Sequence, residues 1–166
     1  AGGVLVGGRV GLVSRCADGA PPQIPATGAH LLYGVRAGFA DSLLSTVSHL
    51  RAGALLDYLP DPVIPFRGAL AEQRTHISME EGATLFWWET LAPGRIGHGE
   101  CFEFECLRVS SEVWTGGIPS LFDRIRLEPG RHSLKSPGRF SDNNFRVMFV
   151  DAQAVAPPGS WGKQET

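Results

Sequence analysis

The sequence lacks a long apolar run. No stretch approaches the ~20 consecutive apolar residues that a membrane-spanning helix needs, so we expect no membrane partner. It also lacks an excess of charge of either sign, because 15 basic and 17 acidic residues leave a net charge of −2. A chain with so small a net charge has no electrostatic reason to bind nucleic acid, and we expect none as a partner.

Cysteine is scarce. The three cysteines, Cys16, Cys101 and Cys106, are an odd number, which argues against a closed disulfide framework and favours a reducing, cytoplasmic location. Cys101 and Cys106 lie near His98, but no fourth ligand stands at the spacing of a structural zinc site. A thiol hydrolase built on Cys101 needs a base that the local sequence does not supply, so it stays a distant alternative.

Strong helix signals are missing as well, since no window keeps an apolar stripe of period 3.6 over three turns. Frequent turns are marked instead by glycine, proline and acidic residues, at 51–53, 60–62, 80–82, 92–94, 115–117 and 128–130. The segments between them, such as 83–91 and 101–114, are rich in β-branched and aromatic residues. This spacing predicts a mainly β fold of many short strands, in packed or open-barrel-like sheets, with little helix.

Strand periodicity draws attention to two acids, Glu89 and Asp123. Each shares alternate positions with large apolar residues: Leu85, Trp87 and Leu91 for the first, Leu121, Ile125 and Leu127 for the second. Both carboxylates are therefore predicted to point inward, where a charge is costly unless it is paired or hydrogen-bonded. Arg95 and Arg124 are the candidate charge partners. Two interpretations remain open: a structural ion pair on a half-exposed strand, or a polar, water-filled path through a β domain.

Two neighbouring tryptophans are predicted to lie on opposite faces of one strand. Trp87 shares the face of Glu89 and is most simply a core residue. Trp88 then faces outward, either as the anchor of a protein interface or as a stacking platform for a sugar. The second possibility defines an alternative function, a β-sandwich module that binds carbohydrate or peptide.

The central part of the chain resembles the UreD (also called UreH) family of urease accessory proteins. The resemblance rests on five pieces in the family's order: a run with three prolines at 57–66, Thr-Leu-Phe-Trp-Trp-Glu at 84–89, Gly94-Arg95, Gly99-Glu100, and Leu-Phe-Asp-Arg at 121–124. It covers about residues 47–129. It implies a protein without catalytic activity that works with UreF-like and UreG-like partners on the urease apoprotein.

The resemblance also implies a site. Family members help to pass nickel into apo-urease through a tunnel lined partly by acidic side chains. Glu89 and Asp123 fall where the family has acids, while Glu100 and Arg95 are weaker candidates. We expect Ni²⁺ in transit rather than a tightly bound cofactor, because isolated carboxylates hold Ni²⁺ less tightly than clustered imidazoles or thiolates.

The same resemblance suggests a partner surface and a domain plan. Trp88 and Phe66, with the neighbouring apolar pair at 63–64, are expected to form an exposed apolar patch that a partner covers. We expect one β domain over residues 1–155 and a loose tail at 156–166. Residues 17–42 lose the resemblance and are interpreted as a lineage-specific insertion or as the translation of an unspliced intron, although 31–33 predict a short buried strand.

Overall fold

The computed structural model describes residues 2–5, 7–17, 23–25, 30–34, 41–135, 140 and 145–155. Their strands are β1 Gly2–Val4, β2 Arg9–Cys16, β3 Gln23–Pro25, β4 His30–Leu32, β5 Ser42–Leu50, β6 Leu55–Leu59, β7 Val63–Pro65, β8 Leu70–Met79, β9 Thr84–Leu91, β10 Cys106–Thr115, β11 Ile118–Leu127 and β12 Arg146–Gln153. One short 3₁₀ turn, Ile96–His98, is the helical element of this part of the chain. The prediction of a mainly β chain with little helix is confirmed.

The strands form two mixed sheets. Sheet B has the order β2–β5–β8–β10–β11. In sheet A, β9 has β12 along one edge and β6 and β7, one after the other, along the opposite edge. Strands β3 and β4 continue this sheet beside β6 and β7, and β1 pairs with β4. The break between β6 and β7 falls at Pro60-Asp61-Pro62, because a proline has no N–H to donate to a ladder.

The chain alternates between the two sheets, so that a strand of sheet A is followed by a strand of sheet B in each of four successive coils. Each coil lies parallel to the one before it, for example β5 with β8 and β8 with β10. The architecture is therefore a β-solenoid, with the antiparallel strands β11 and β12 at one end. Turn spacing predicted the strands but not their parallel pairing, because hairpin turns and the corners of a coil use similar residues.

The two inner faces pack on each other in two apolar clusters. One contains Leu44, Val63, Leu91, Leu107, Val109 and Leu127, and the other contains Leu50, Leu56, Ile77, Leu85, Trp87 and Val113. In the long strands that carry both clusters, the residues between them are mostly polar. This arrangement places a polar layer across the middle of the interior.

The structure describes part of the segment 17–42 and none of the C-terminal tail. Leu32 is fully buried in β4, which confirms a short buried strand in that region. Strands β3 and β4 are both part of sheet A, while 18–22, 26–29 and 35–40 lie outside the described residues; the insertion hypothesis for 17–42 stays a prediction. The tail at 156–166 also lies outside them. Within the described part of the chain, no helix has the length and apolar character to cross a membrane.

Candidate functional site

The polar layer is built by strand register. Thr46, Thr75, Ser111 and Asp123 stand directly opposite one another on β5, β8, β10 and β11. We call the layer the polar belt, and its members are Thr46, Tyr58, Gln73, Thr75, Glu89, Ser111, Asp123 and Arg146. Inward positions recur every second residue, so a single polar residue per strand is enough to carry the belt across sheet B.

Glu89 is the belt's central carboxylate and is only 8% exposed. The Gln73 side-chain amide donates a hydrogen bond to it from the facing sheet. Burial raises the pKa of Glu89 to about 7; Arg146 and Ser111 oppose the shift, and Asp123 adds to it. A pKa of that size means that the carboxyl group is divided between its charged and neutral forms near neutral pH. The predicted inward orientation of Glu89 is correct.

Asp123 is held differently. Its Oδ2 lies 3.2 Å from a guanidinium nitrogen of Arg146, so an ion pair joins β11 of sheet B to β12 of sheet A. Both side chains are about two-thirds or more buried, with exposed fractions of 32% and 22%. Asp123 is inward but less deeply buried than Glu89, because β11 is the edge strand of its sheet.

The structure corrects the predicted charge partners of these acids. Arg124 follows Asp123 directly and therefore faces outward, where it lies 3.3 Å from Glu112. Arg95 lies in the loop after β9 and pairs with Glu100. Sequence reasoning did not identify Arg146 or Gln73, although the alternation of β8, in which Gln73 and Thr75 share the phase of buried residues, contains the signal for Gln73.

Glu100 belongs to a separate cluster. Arg95 Nε donates to Glu100 Oε2 over 2.9 Å, and the backbone N–H of Arg67 donates to the same oxygen over 3.3 Å. These donors lower the pKa of Glu100 to about 2. The Arg95 guanidinium also stacks 4.2 Å above the Phe66 ring. The charge of Glu100 is thus matched locally, in contrast to the charge of Glu89.

Two buried polar atoms, one beside the belt and one within it, are incompletely bonded. The indole N–H of Trp87 has no hydrogen-bond partner among the described residues. The Ser111 hydroxyl lowers the pKa of Glu89, so it acts on that carboxyl group, but its geometry falls short of a regular hydrogen bond. Buried donors of this kind are ordinarily satisfied by internal water. By contrast, the hydroxyl groups of Tyr58 and Thr46 share a hydrogen bond of 3.1 Å.

The outer face of sheet A is apolar around Trp88, which is 44% exposed. We call the group Phe86, Trp88, Val147 and Phe149 the aromatic patch. Phe149 packs edge-on against both Phe86 and Trp88, with ring centroids 4.9 and 6.3 Å away. A nearby groove of about 400 Å³ is lined by Phe66, Ile64 and Phe145 among others. The prediction that both residues of the pair at 63–64 are exposed is wrong for Val63, which faces the core and is 3% exposed.

The described residues contain no group of three or more His, Cys, Asp or Glu side chains arranged to hold a metal ion. Cys101 is exposed and Cys106 is buried, and burial raises the pKa of the Cys106 thiol. The belt instead offers a single carboxyl group, Glu89, with an ion-paired one nearby. Chemically, its carboxyl and hydroxyl oxygens can make weak contacts with a cation.

Comparison with known proteins identifies the relatives of this chain. The sequence profile described as UreD urease accessory protein matches residues 1–154. A protein named "Urease accessory protein UreD" from Herpetosiphon aurantiacus is 35% identical over 85% of this chain and 50% of its own length. Proteins of the same name from Anaeromyxobacter sp. and Pseudomonas fluorescens are 36% and 32% identical, over 78% and 82% of this chain and 43% and 48% of theirs. The chain thus spans about half the length of these relatives, and the match extends beyond residues 47–129.

Proposed function

The chain belongs to the UreD family of urease accessory proteins, and we propose that it is a scaffold that helps to deliver nickel to apo-urease with UreF-like and UreG-like partners. It is an accessory protein and not an enzyme. Family membership supports a role in urease maturation and replaces the carbohydrate-binding alternative. We propose that the protein acts in the cytoplasm, where its three free cysteines would stay reduced.

The observation that carries the nickel proposal is Glu89 in the polar belt. A carboxyl group 8% exposed, with a pKa near 7 and a neutral amide as its hydrogen-bond donor, is not neutralised by a direct ion pair. A divalent cation entering the belt would favour its charged form and gain an oxygen contact. With one such ligand and hydroxyl groups around it, the contact stays weak and the ion can leave again.

The surroundings of Glu89 support a hydrated path. Trp87, two residues before Glu89 on β9, and Ser111, on the facing sheet, are incompletely bonded and offer polar atoms to water. Asp123 lies further along the belt, at the edge strand, and is the second proposed contact for Ni²⁺. Glu100 remains a weaker candidate, because Arg95 already holds its carboxylate.

The proposal is tested by complementation. Bacteria that lack their own UreD, but keep urease and its other accessory proteins, would express this chain with an affinity tag. We expect urease activity and urease-bound nickel to rise, and the chain to co-purify with the UreF-like and UreG-like proteins. Co-purification without any gain in nickel would contradict the delivery role, whereas failure of both would contradict the scaffold itself.

We further propose that the aromatic patch and the Phe66 groove form the partner interface. Trp88 and Phe149 are 44% and 50% exposed. Replacing both by serine removes the exposed apolar surface that favours association. We expect the wild-type chain to aggregate when it is alone. The double variant should stay monomeric under the same conditions, and it should lose its UreF-like partner in a pull-down. Size-exclusion chromatography with light scattering measures the first effect.

Val13→Ser is the matched control for this experiment. Val13 is 72% exposed on the outer face of the other sheet, so its replacement removes exposed apolar surface elsewhere. It should leave both the pull-down and the aggregation unchanged. A wild-type chain that is monodisperse at high concentration, with or without the partner, would argue against an interface at the patch.

A further inference from the structure

The first strand of sheet B, β2, pairs on one side only. Its partner is β5, and β2 ends the described sheet on the other side. The carbonyl groups of Gly8 and Cys16 point to β5, where the N–H groups of Leu43 and Arg51 each donate to them over 2.9 Å. Successive residues of a strand direct their backbone groups to opposite sides in a parallel ladder. The even-numbered residues of β2 therefore bond to β5, and the odd-numbered residues face the open side.

This open side, which we call the β2 edge, consists of the backbone groups of Arg9, Gly11, Val13 and Arg15. Each of these residues directs one N–H and one C=O away from β5, and these groups have no hydrogen-bond partner among the described residues. Water can solvate such a row, but another extended peptide can pair with all of it at once by adding a strand to the sheet.

The inward side chains of β2 are uncovered as well. Val10 stands opposite Leu44 of β5, a buried member of the core, and Leu12 follows on the same face. Leu44 is 7% exposed, whereas Val10 and Leu12 are 45% and 37% exposed. The apolar interior of the solenoid is thus open at β2. A solenoid needs a cap where its core would otherwise meet water.

The other edge strands that the structure describes are better protected. β11 contains Pro119, and β1 and β3 have only three residues each. β12 carries charges of both signs, and its inward Val150 is 6% exposed. Prolines, charges and short length are the ordinary means of preventing strand addition. β2 has eight residues, no proline and no acid, and its inward apolar side chains are exposed.

Charge indicates which kind of strand fits. Arg9 and Arg15 are exposed, and neither forms an ion pair with a described residue. We propose that the β2 edge binds an extended segment of a partner protein, which joins sheet B as an additional strand. Its apolar side chains would cover Val10 and Leu12, and acidic side chains on its outward face would lie beside the two arginines.

A second copy of this chain fits the β2 edge less well. A two-fold axis would pair two β2 strands antiparallel, and the register that uses nearly the whole strand brings Arg9 of each copy opposite Arg15 of the other. Pairing of β2 with β11 of another copy would also bring arginines together, because the outward residues of β11 include Arg124 and Arg126. Like charges directly opposite each other destabilise a strand pair.

The inference adds to the proposed scaffold a contact on a different sheet from the aromatic patch. Its test needs neither nickel nor urease, so it can fail while the proposed function holds. The full 166-residue chain is coupled sparsely to a sensor surface, so that its copies cannot meet. The probe is the peptide Glu-Val-Thr-Val-Thr-Val-Glu, which matches residues 9–15 in length and places acids against both arginines. Binding is measured by surface plasmon resonance.

Two N-methylated forms of the peptide test whether the backbone makes the contact. One form is methylated at the valines, and the other is methylated at the threonines and glutamates. Only one of these two sets of amides can face β2, because N–H groups alternate along a strand. One form should therefore bind like the unmodified peptide, and the other should bind roughly tenfold more weakly or not at all.

Gly11→Pro tests the same contact from the side of the protein. It removes an N–H that points to the open side and leaves the ladder with β5 intact, which is where an edge strand tolerates proline. The site has room, since a Cβ at Gly11 would lie 3.9 Å from its nearest neighbour, the carbonyl oxygen of Ser45. Peptide binding should weaken by roughly tenfold or more. Gly11→Ala and Val13→Ser keep the N–H and should change affinity by less than about twofold.

Arg15→Glu is a second variant, which does not alter the backbone. It should weaken binding by about threefold or more, because an attractive cross-strand pair becomes repulsive. Arg131→Glu changes the net charge equally at an exposed residue after β11, at the other end of the sheet, and should have little effect.

Four results would overturn the proposal. They are no binding by the wild-type chain, equal binding of the two N-methylated peptides, equal affinities of Gly11→Pro and Gly11→Ala, and equal affinities of Arg15→Glu and Arg131→Glu. A fifth would overturn it in favour of a second copy: the wild-type chain in solution binds the coupled chain more tightly than the peptide does, and Gly11→Pro abolishes that binding.

Discussion

Glu89→Gln should make the isolated chain more stable at alkaline pH and at the same time slow the delivery of nickel. The folded chain raises the pKa of Glu89 from 4.5 to about 7, so between these values it binds more protons than the unfolded chain. The free energy of unfolding therefore falls as pH rises through this window. At ~1.4 kcal/mol per pKa unit the loss is roughly 3 kcal/mol, complete above the folded-state pKa.

The glutamine variant does not lose this energy, because its side chain stays neutral at every pH. Its amide can keep a hydrogen bond with Gln73 after one of the two amides rotates. Unfolding by urea at about pH 5 and pH 8.5 should show a growing advantage of the variant at the higher pH. Glu81→Gln, which alters an exposed acid, should show none.

The same variant tests the nickel path, because an amide oxygen is a poorer ligand for a divalent cation than a carboxylate. Urease activation by purified components should slow while the partner complex still assembles. A variant that is less stable than the wild-type chain at pH 8.5 would show that the carboxylate holds the fold together. Unchanged activation by a stable variant would remove Glu89 from the path.

The buried carboxyl group of Glu89 lowers the free energy of unfolding near neutral pH, so its presence does not follow from stability. Its neighbours on the inward face of β9, Trp87 and Leu91, are large apolar residues that are buried. An apolar side chain at position 89 would join the two core clusters and remove the desolvation cost. The buried carboxyl group of Glu89 therefore costs stability near neutral pH, and the proposed role in nickel delivery would account for that cost.

Strand phase was sufficient to predict which side chains point inward. Glu89 and Trp87 are buried and Trp88 is exposed, as alternation requires. The charge partners were not predictable from the same information, since Asp123 meets Arg146 across two sheets and 23 positions of sequence. Local sequence suggested Arg124 instead, although a neighbour in a strand necessarily faces the other way.

The solenoid was hidden for a related reason. Parallel pairing joins β5 to β8 and β8 to β10, although two strands of the other sheet lie between the first pair in the chain and one lies between the second. The residue pattern within a strand does not indicate which other strand it pairs with. Among the strands that the structure describes, only the β10–β11 hairpin is local, and its turn uses Gly116 and Gly117, both with positive φ, at 55° and 81°.

The ion pair that closes the belt gives the second large effect, since its two members act on Glu89 in opposite directions. Arg146 lowers the pKa of Glu89 and Asp123 raises it. Arg146→Gln should therefore move the pH at which stability falls to higher values, and Asp123→Asn should move it to lower values. Urea unfolding over a series of pH values measures both shifts. Arg124→Gln, on the outer face of sheet B, is the control and should leave the profile in place.

Nickel delivery separates the two variants further. Arg146→Gln keeps more of Glu89 protonated at neutral pH, so activation of urease should be slow there and recover when the pH is raised. Asp123→Asn leaves the cation of Arg146 unpaired beside the path, and a raised pH cannot remove that charge because a guanidinium stays protonated. Its activation should therefore stay slow at every pH, even though Glu89 is more fully ionised. Recovery of both variants at high pH would show that only the ionisation of Glu89 matters, and equal persistence of both defects would show that the pair acts through the fold.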